Sequence, residues 1–186
     1  MSTVEEPLPE SSDTPAPRKR MQIFRAADAQ NAQDHMPSIG IDESVQAGLA
    51  KMAEASAGYP MDSGAKALLL FKEPGEQGLS LTYVWFKSGF ILPRHSHNAD
   101  CLYYVLAGEL RMGSQVLRKG DGIFIPADAG YTYEAGPEGV EVLEFRNATQ
   151  FHLKFTGNDA AHWERIASAM RANSARWQHE PPPSAR

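Results

Sequence analysis

The chain has 186 residues, 42% of them hydrophobic and 22% charged, with a formal net charge of -5 at pH 7. That size and composition suit one globular domain with tails, large enough to bury a core without staples. The acidic balance argues against nucleic acid and anionic membrane as partners, and a single cysteine, Cys101, excludes an intramolecular disulfide and points to a reducing, cytoplasmic setting.

Residues 1–20 are acidic and Pro-rich and lack the apolar run of a signal peptide, so they are expected to be a disordered tail. The triplet Arg18-Lys19-Arg20 is too short to be a specific localisation patch and is expected to be solvated. No stretch approaches the ~18 consecutive apolar residues of a membrane span. The sequon Asn147-Ala-Thr149 has no expected use in a cytoplasmic protein.

Residues 21–64 are expected to form a helical and irregular extension. Asp42 is a good N-cap, Val45, Leu49 and Met52 share a stripe, and Gly58 is a natural stop, so a helix is expected over 42–58. Residues 65–157 are expected to form one β unit, and from about Ala65 to Phe155 the period falls to two. Leu79, Leu81, Tyr83 and Trp85 alternate with Ser80, Thr82, Val84 and Phe86, as in a strand packed on both faces. Short apolar runs then recur between Gly, Pro and Asn: CLYYVLAG, ELRMG, QVLRKG, DGIFIPA, YTYEAG, VEVLEF and FHLKF. This pattern predicts an antiparallel sandwich or barrel, an all-β core. A helix is expected within 158–180, capped by Asn158 or Asp159, with Trp163, Ile166 and Met170 on one face. It would pack on the barrel or on a partner subunit. Residues 181–186, PPPSAR, read as a second tail.

The chemistry is concentrated in Gly89 to Gly108. His95 and His97, two apart on a strand, point to the same side of the sheet. Inside a barrel they would converge, and neutral imidazole is the commonest protein ligand of Zn, Fe, Ni and Cu.

In this setting the sequence resembles the cupin superfamily. The family's first motif, G-x5-H-x-H-x3-E-x6-G, is matched at Gly89, His95, His97 and Gly108. Its second, G-x5-P-x-G-x2-H-x3-N, is matched at Gly120 and Pro126. The resemblance covers roughly residues 66–157 and implies a jelly-roll β-barrel, here with an N-terminal helical extension and a C-terminal helix. It also implies a mononuclear divalent metal, Fe2+ first and Zn2+, Ni2+ or Mn2+ as alternatives, and a homodimer to which Trp163, Met170 and Trp177 would contribute. Two of the usual four ligands differ: Cys101 stands at the Glu position and Tyr131 at the third His position, while Asp128 replaces the motif's second Gly.

Three readings of the site follow. In one, His95 and His97 hold a metal with Cys101, Tyr131 or His152 as substitute ligands, and the open position supports a dioxygenase acting on a small organic substrate. In another, the pocket is a metal-free cage for a small-molecule ligand, with Tyr103, Tyr131, Tyr133 and Trp85 supplying stacking surface and hydroxyls. In the third, both histidines are structural. Tyr103 and Tyr131 are the candidate catalytic groups, because some cupin lyases acting on sulfonium substrates use a tyrosine at the first position as a base. Thiol dioxygenases, another cupin branch, carry Cys at the Cys101 position, although a buried Cys is most often a small hydrophobe. Glu141 and Glu144 lie on opposite faces of one strand, so one could point inward, but exposure is the default expectation for both, as it is for His35, His162 and His179. Arg94 is either a surface residue or an anion contact. No G-x-S-x-G elbow, Walker-type loop or dinucleotide turn is present.

Overall fold

The structure, a computed structural model, describes residues 20–75, 77–157 and 159–186. The expected N-terminal tail therefore lies almost entirely outside the described residues, as does Asn158. Two short strands, β1 (Gln30–Asn31) and β2 (Ser38–Ile39), precede helix α1 (Glu43–Ala55). The barrel follows as β3 (Ala65–Lys72), β4 (Gln77–Phe86), β5 (His95–Ser96), β6 (Cys101–Met112), β7 (Gln115–Arg118), β8 (Gly122–Ile125), β9 (Glu134–Ala148) and β10 (Leu153–Phe155). Helix α2 spans Ala160–Trp177.

The larger sheet runs β1-β3-β4-β9-β6-β7, with β8 also paired to β6, and all its pairings are antiparallel. The smaller sheet is β2-β10-β5. An isolated bridge joins His95 to Tyr131. The runs CLYYVLAG and ELRMG are one strand, β6. Gly108 lies where that strand shifts register against β9. Its φ is +78°, and a Cβ there would lie 2.2 Å from the Gly139 carbonyl oxygen, so only glycine fits.

Alternation decides what enters the barrel. On β4, Ser80, Thr82, Val84 and Phe86 are buried, whereas Leu79 is exposed. On β6, Cys101, Tyr103 and Val105 are buried, while Leu102 and Tyr104 face outward. On β9, Val140, Val142, Glu144 and Arg146 take the inward positions. Register then sets Glu144 opposite both Thr82 and Tyr103, and Arg146 opposite both Ser80 and Cys101.

Both helices start as the sequence predicts. Asp42 accepts from the Val45 amide and Asp159 from the His162 amide, each satisfying an otherwise unpaired donor of the first turn. The helices pack on each other where Gly48 meets Trp163: a Cβ at Gly48 would overlap the indole at 2.1 Å. Trp163, Ile166, Met170 and Trp177 all point into the core. Phe90 contacts Trp177, and the Trp177 Nε1 donates to the Ser88 carbonyl. The expectation that Trp163, Met170 and Trp177 build a dimer contact is thereby corrected, because these side chains are consumed within their own chain.

The end of the chain also departs from expectation. Residues 183–185 form a 3-10 turn rather than a free tail. Ser184 donates to the Glu141 carboxylate from both its amide and its hydroxyl, and Tyr83 donates to Glu141 at 2.6 Å. Glu141, on the outer face of β9 and expected to be exposed, is buried beneath this turn. Among the described residues, no helix is long and apolar enough to cross a membrane.

Candidate functional site

The barrel encloses a cavity of about 140 Å3. Its walls are mostly apolar, with Val84, Phe86, Phe90, Leu92 and Phe151 prominent, and Ala32, Gln33 and Met36 from the extension close one side. Besides Gln33, its polar residues are His95, His97, Thr82, Tyr103, Tyr133, Glu144 and Arg146. Few polar groups converging on an apolar cavity is the usual composition of a small-molecule site.

The ring centroids of His95 and His97 lie 4.9 Å apart. His95 Nδ1 lies 2.8 Å from the Pro93 carbonyl oxygen, and His97 Nδ1 lies 2.7 Å from that of His152. A carbonyl can only accept, so each Nδ1 carries the proton and each Nε2 carries the lone pair. Burial pushes both imidazoles down to about 4; for His95 the neighbouring His97 adds to the effect, and for His97 the Arg146 charge does. Both rings are therefore neutral at pH 7.

The tautomer of His95 fixes the direction of a longer chain. Tyr131 lies 3.0 Å from His95 Nε2, so its hydroxyl must donate there. Its oxygen then accepts from the Tyr103 hydroxyl, with which it makes a short contact. Burial raises both phenols further above their ordinary value, and the Glu144 charge adds to this. Tyr131 is thus tied to His95 and Tyr103 at the back of the cavity wall.

Glu144 and Arg146 complete the site, and both are nearly inaccessible. Arg146 Nη2 donates to the Glu144 carboxylate at 2.6 Å, with side-chain exposures of 2% and 7%. Burial alone would lower the Arg146 pKa, but the Glu144 charge outweighs it and holds the guanidinium charged. The Phe151 ring lies beneath it, 4.3 Å from the guanidinium carbon. Glu144, expected on the surface, is here corrected to an inward position. Arg146 was not singled out from sequence. The available signal was the alternation Val140, Val142, Glu144, Arg146, which places both charges on the face of the two buried valines.

The remaining candidates distribute as follows. Tyr133 lines the cavity with its hydroxyl buried. Trp85 lies on the opposite face of β4, paired with Glu141, and does not join the cage. His152 contributes its carbonyl, while its ring Nδ1 is buried without a hydrogen-bond partner among the described residues. Cys101 is buried, and desolvation raises its thiol to about 12. Arg94 is exposed, His35 and His162 are half-buried, and His179 is exposed.

As a metal centre this donor set is incomplete. His95 and His97 offer neutral imidazoles, but the His95 lone pair already accepts the Tyr131 hydroxyl. Cys101 is held as a thiol, and Glu144 is engaged by Arg146, whose positive charge opposes a dication. Among the described residues, no group of three or more His, Cys, Asp or Glu side chains is placed to hold an ion. Among the described residues, neither Cys101 nor His152 joins the histidine pair in such a group.

Comparison with protein-family models and with curated proteins gives no match. Among solved structures, the polyketide cyclase RemF from Streptomyces resistomycificus is similar over 81% of this chain and 99% of its own, at 16% identity and a TM-score of 0.51. An RmlC-like cupin from Shewanella frigidimarina matches 49% of this chain and 81% of its own, at 23% identity and a TM-score of 0.41. KdgF from a Halomonas species matches 45% and 81%, at 22% identity and a TM-score of 0.40. The likeness is one of fold.

Proposed function

We propose that this cupin-fold chain binds a small organic molecule inside the barrel, against the polar wall of His95, His97, Tyr133, Glu144 and Arg146, and that binding does not depend on a metal. The observation that carries this is the hydrogen bond from Tyr131 to His95 Nε2, which occupies the lone pair a metal would need. The cavity volume, about 140 Å3, supports the same reading, since an apolar cavity of comparable size holds a benzene-sized guest. Tyr103 and Tyr131, with phenols raised in pKa, orient His95 rather than act as bases at neutral pH.

A second reading is favoured by the histidine pair itself. Two neutral imidazoles 4.9 Å apart suit a divalent ion, Fe2+ above all, and a dioxygenase is the activity to test if such an ion binds. Metal analysis separates the two. The purified protein is incubated with Fe2+ or Zn2+, desalted and assayed beside a His95→Ala/His97→Ala variant. Well under one equivalent, with no difference between the proteins, is expected. One equivalent in the wild type that disappears in the variant would overturn the metal-free reading, and oxygen uptake with candidate substrates would then test for oxygenase activity.

A further inference from the structure

The polar wall carries a specific imbalance. Arg146 spends one donor on Glu144, yet its Nε and Nη1 are buried without a hydrogen-bond partner among the described residues. The Tyr133 hydroxyl and Thr82 Oγ1 are buried and unpartnered in the same way. All three residues are 3% exposed, and all three line the one cavity. A buried guanidinium N–H or phenol left unpaired is costly, so protein interiors rarely keep such groups without an occupant that satisfies them.

These free groups are mainly donors. Two nitrogens of Arg146 and the Tyr133 hydroxyl offer hydrogens, Thr82 can give or take one, and His97 Nε2 is a lone-pair acceptor. An occupant must therefore present an oxygen acceptor. The charges specify more. Arg146 is balanced by Glu144, and the two histidines are neutral, so the cavity has no net charge to offset an ion. An anionic guest would also face the Glu144 carboxylate directly.

We infer that the cavity takes an uncharged, compact carbonyl compound (a ketone, ester or lactone) whose carbonyl oxygen accepts from Arg146 and Tyr133 while its apolar body lies against Phe86, Phe90 and Phe151. This rests on the reading of the cavity as a small-molecule site and adds the class of ligand. The cavity volume limits the guest to roughly six to nine non-hydrogen atoms.

Three probes of similar size test the assignment: acetophenone with a neutral carbonyl, benzoate with a carboxylate, and ethylbenzene with neither. Affinities are measured by titration calorimetry or ligand-observed NMR on the full chain. Acetophenone is expected to bind about tenfold or more tightly than either of the others, the scale of one good hydrogen bond to a charged group. In Tyr133→Phe the ratio of acetophenone to ethylbenzene affinity should fall several-fold. In the paired variant Arg146→Met/Glu144→Gln, which removes the ion pair without stranding a charge, it should fall towards one. Equal binding of acetophenone and ethylbenzene to the wild type would overturn the carbonyl inference and leave the small-molecule reading standing. Tightest binding of benzoate would also overturn it, in favour of an anion. Failure of all three to bind the folded protein would overturn the small-molecule reading and the inference together.

Discussion

The Tyr131 hydroxyl donates to Nε2 of His95 across 3.0 Å, and a backbone bridge between the same two residues fixes that approach. Tyr131→Phe removes this donor and also the acceptor used by Tyr103. Leaving a buried polar group unpaired costs about 1–3 kcal/mol, so urea denaturation should show a loss of that size. An unchanged midpoint would mean that the chain from Tyr103 to His95 adds nothing to stability.

The same position should respond to the opposite change. Tyr131→His places a third imidazole beside His95 and His97, where a short phenol contact now stands. Zinc titration against a competing chelator should show a large gain in affinity over the wild type. A variant that binds zinc no better would show that the two existing rings are not oriented for an ion.

Stability should fall in mild acid. The two imidazoles titrate near 4 when folded and near 6.5 when unfolded. Above about pH 6.5 both states are unprotonated at these sites and the histidines contribute no pH dependence. Between about 6.5 and 4 the unfolded chain takes up protons that the folded chain refuses, so stability declines over that window and levels below it. Each ring can contribute about 3 kcal/mol to the decline. Thermal unfolding from pH 7.5 to 4 checks this, and the slope should shrink in the His95→Ala/His97→Ala protein.

Breaking the inner ion pair should be far worse than replacing it. Glu144→Ala strands the Arg146 guanidinium, with an expected loss of about 3–5 kcal/mol, whereas Arg146→Met/Glu144→Gln should lose much less. A paired variant as unstable as the single one would show that the two side chains matter through packing, not charge.

Trp177→Ala should lose about 3–5 kcal/mol, because it opens a cavity beneath α2 and frees the Ser88 carbonyl. Denaturant unfolding reads this directly. A loss under 1 kcal/mol would mean that the helix is held by its other contacts.

The barrel was legible because its signals are local. Alternation along β4, Gly108 in the motif, and the caps Asp42 and Asp159 each act within a few residues. The site was legible where the motif marks it, at His95 and His97, and at Tyr103 and Tyr133, which line the same cavity. Arg146 was missed, and Glu144 was left exposed by default, because an inward charge is distinguished from an outward one only by strand parity and by a partner two residues away. Trp85 was misplaced for a related reason: β4 carries bulk on both faces, and sequence alone did not say which face entered the barrel. The burial of Glu141 depends on Ser184, more than forty positions along the chain, and no local pattern announces such a contact. The contact between Tyr131 and His95 has the same origin, since the two residues meet only through the folded bridge.

Cys101 is the one cysteine of the chain, 1% exposed, with its thiol held near 12. A thiol in that state is inert to alkylating reagents until β6 separates from its neighbours. Labelling kinetics at this atom would therefore time the opening of the barrel itself, with no competing sulfhydryl to remove and no foreign dye needed beforehand. A guest seated in the cavity would slow that clock in proportion to its occupancy.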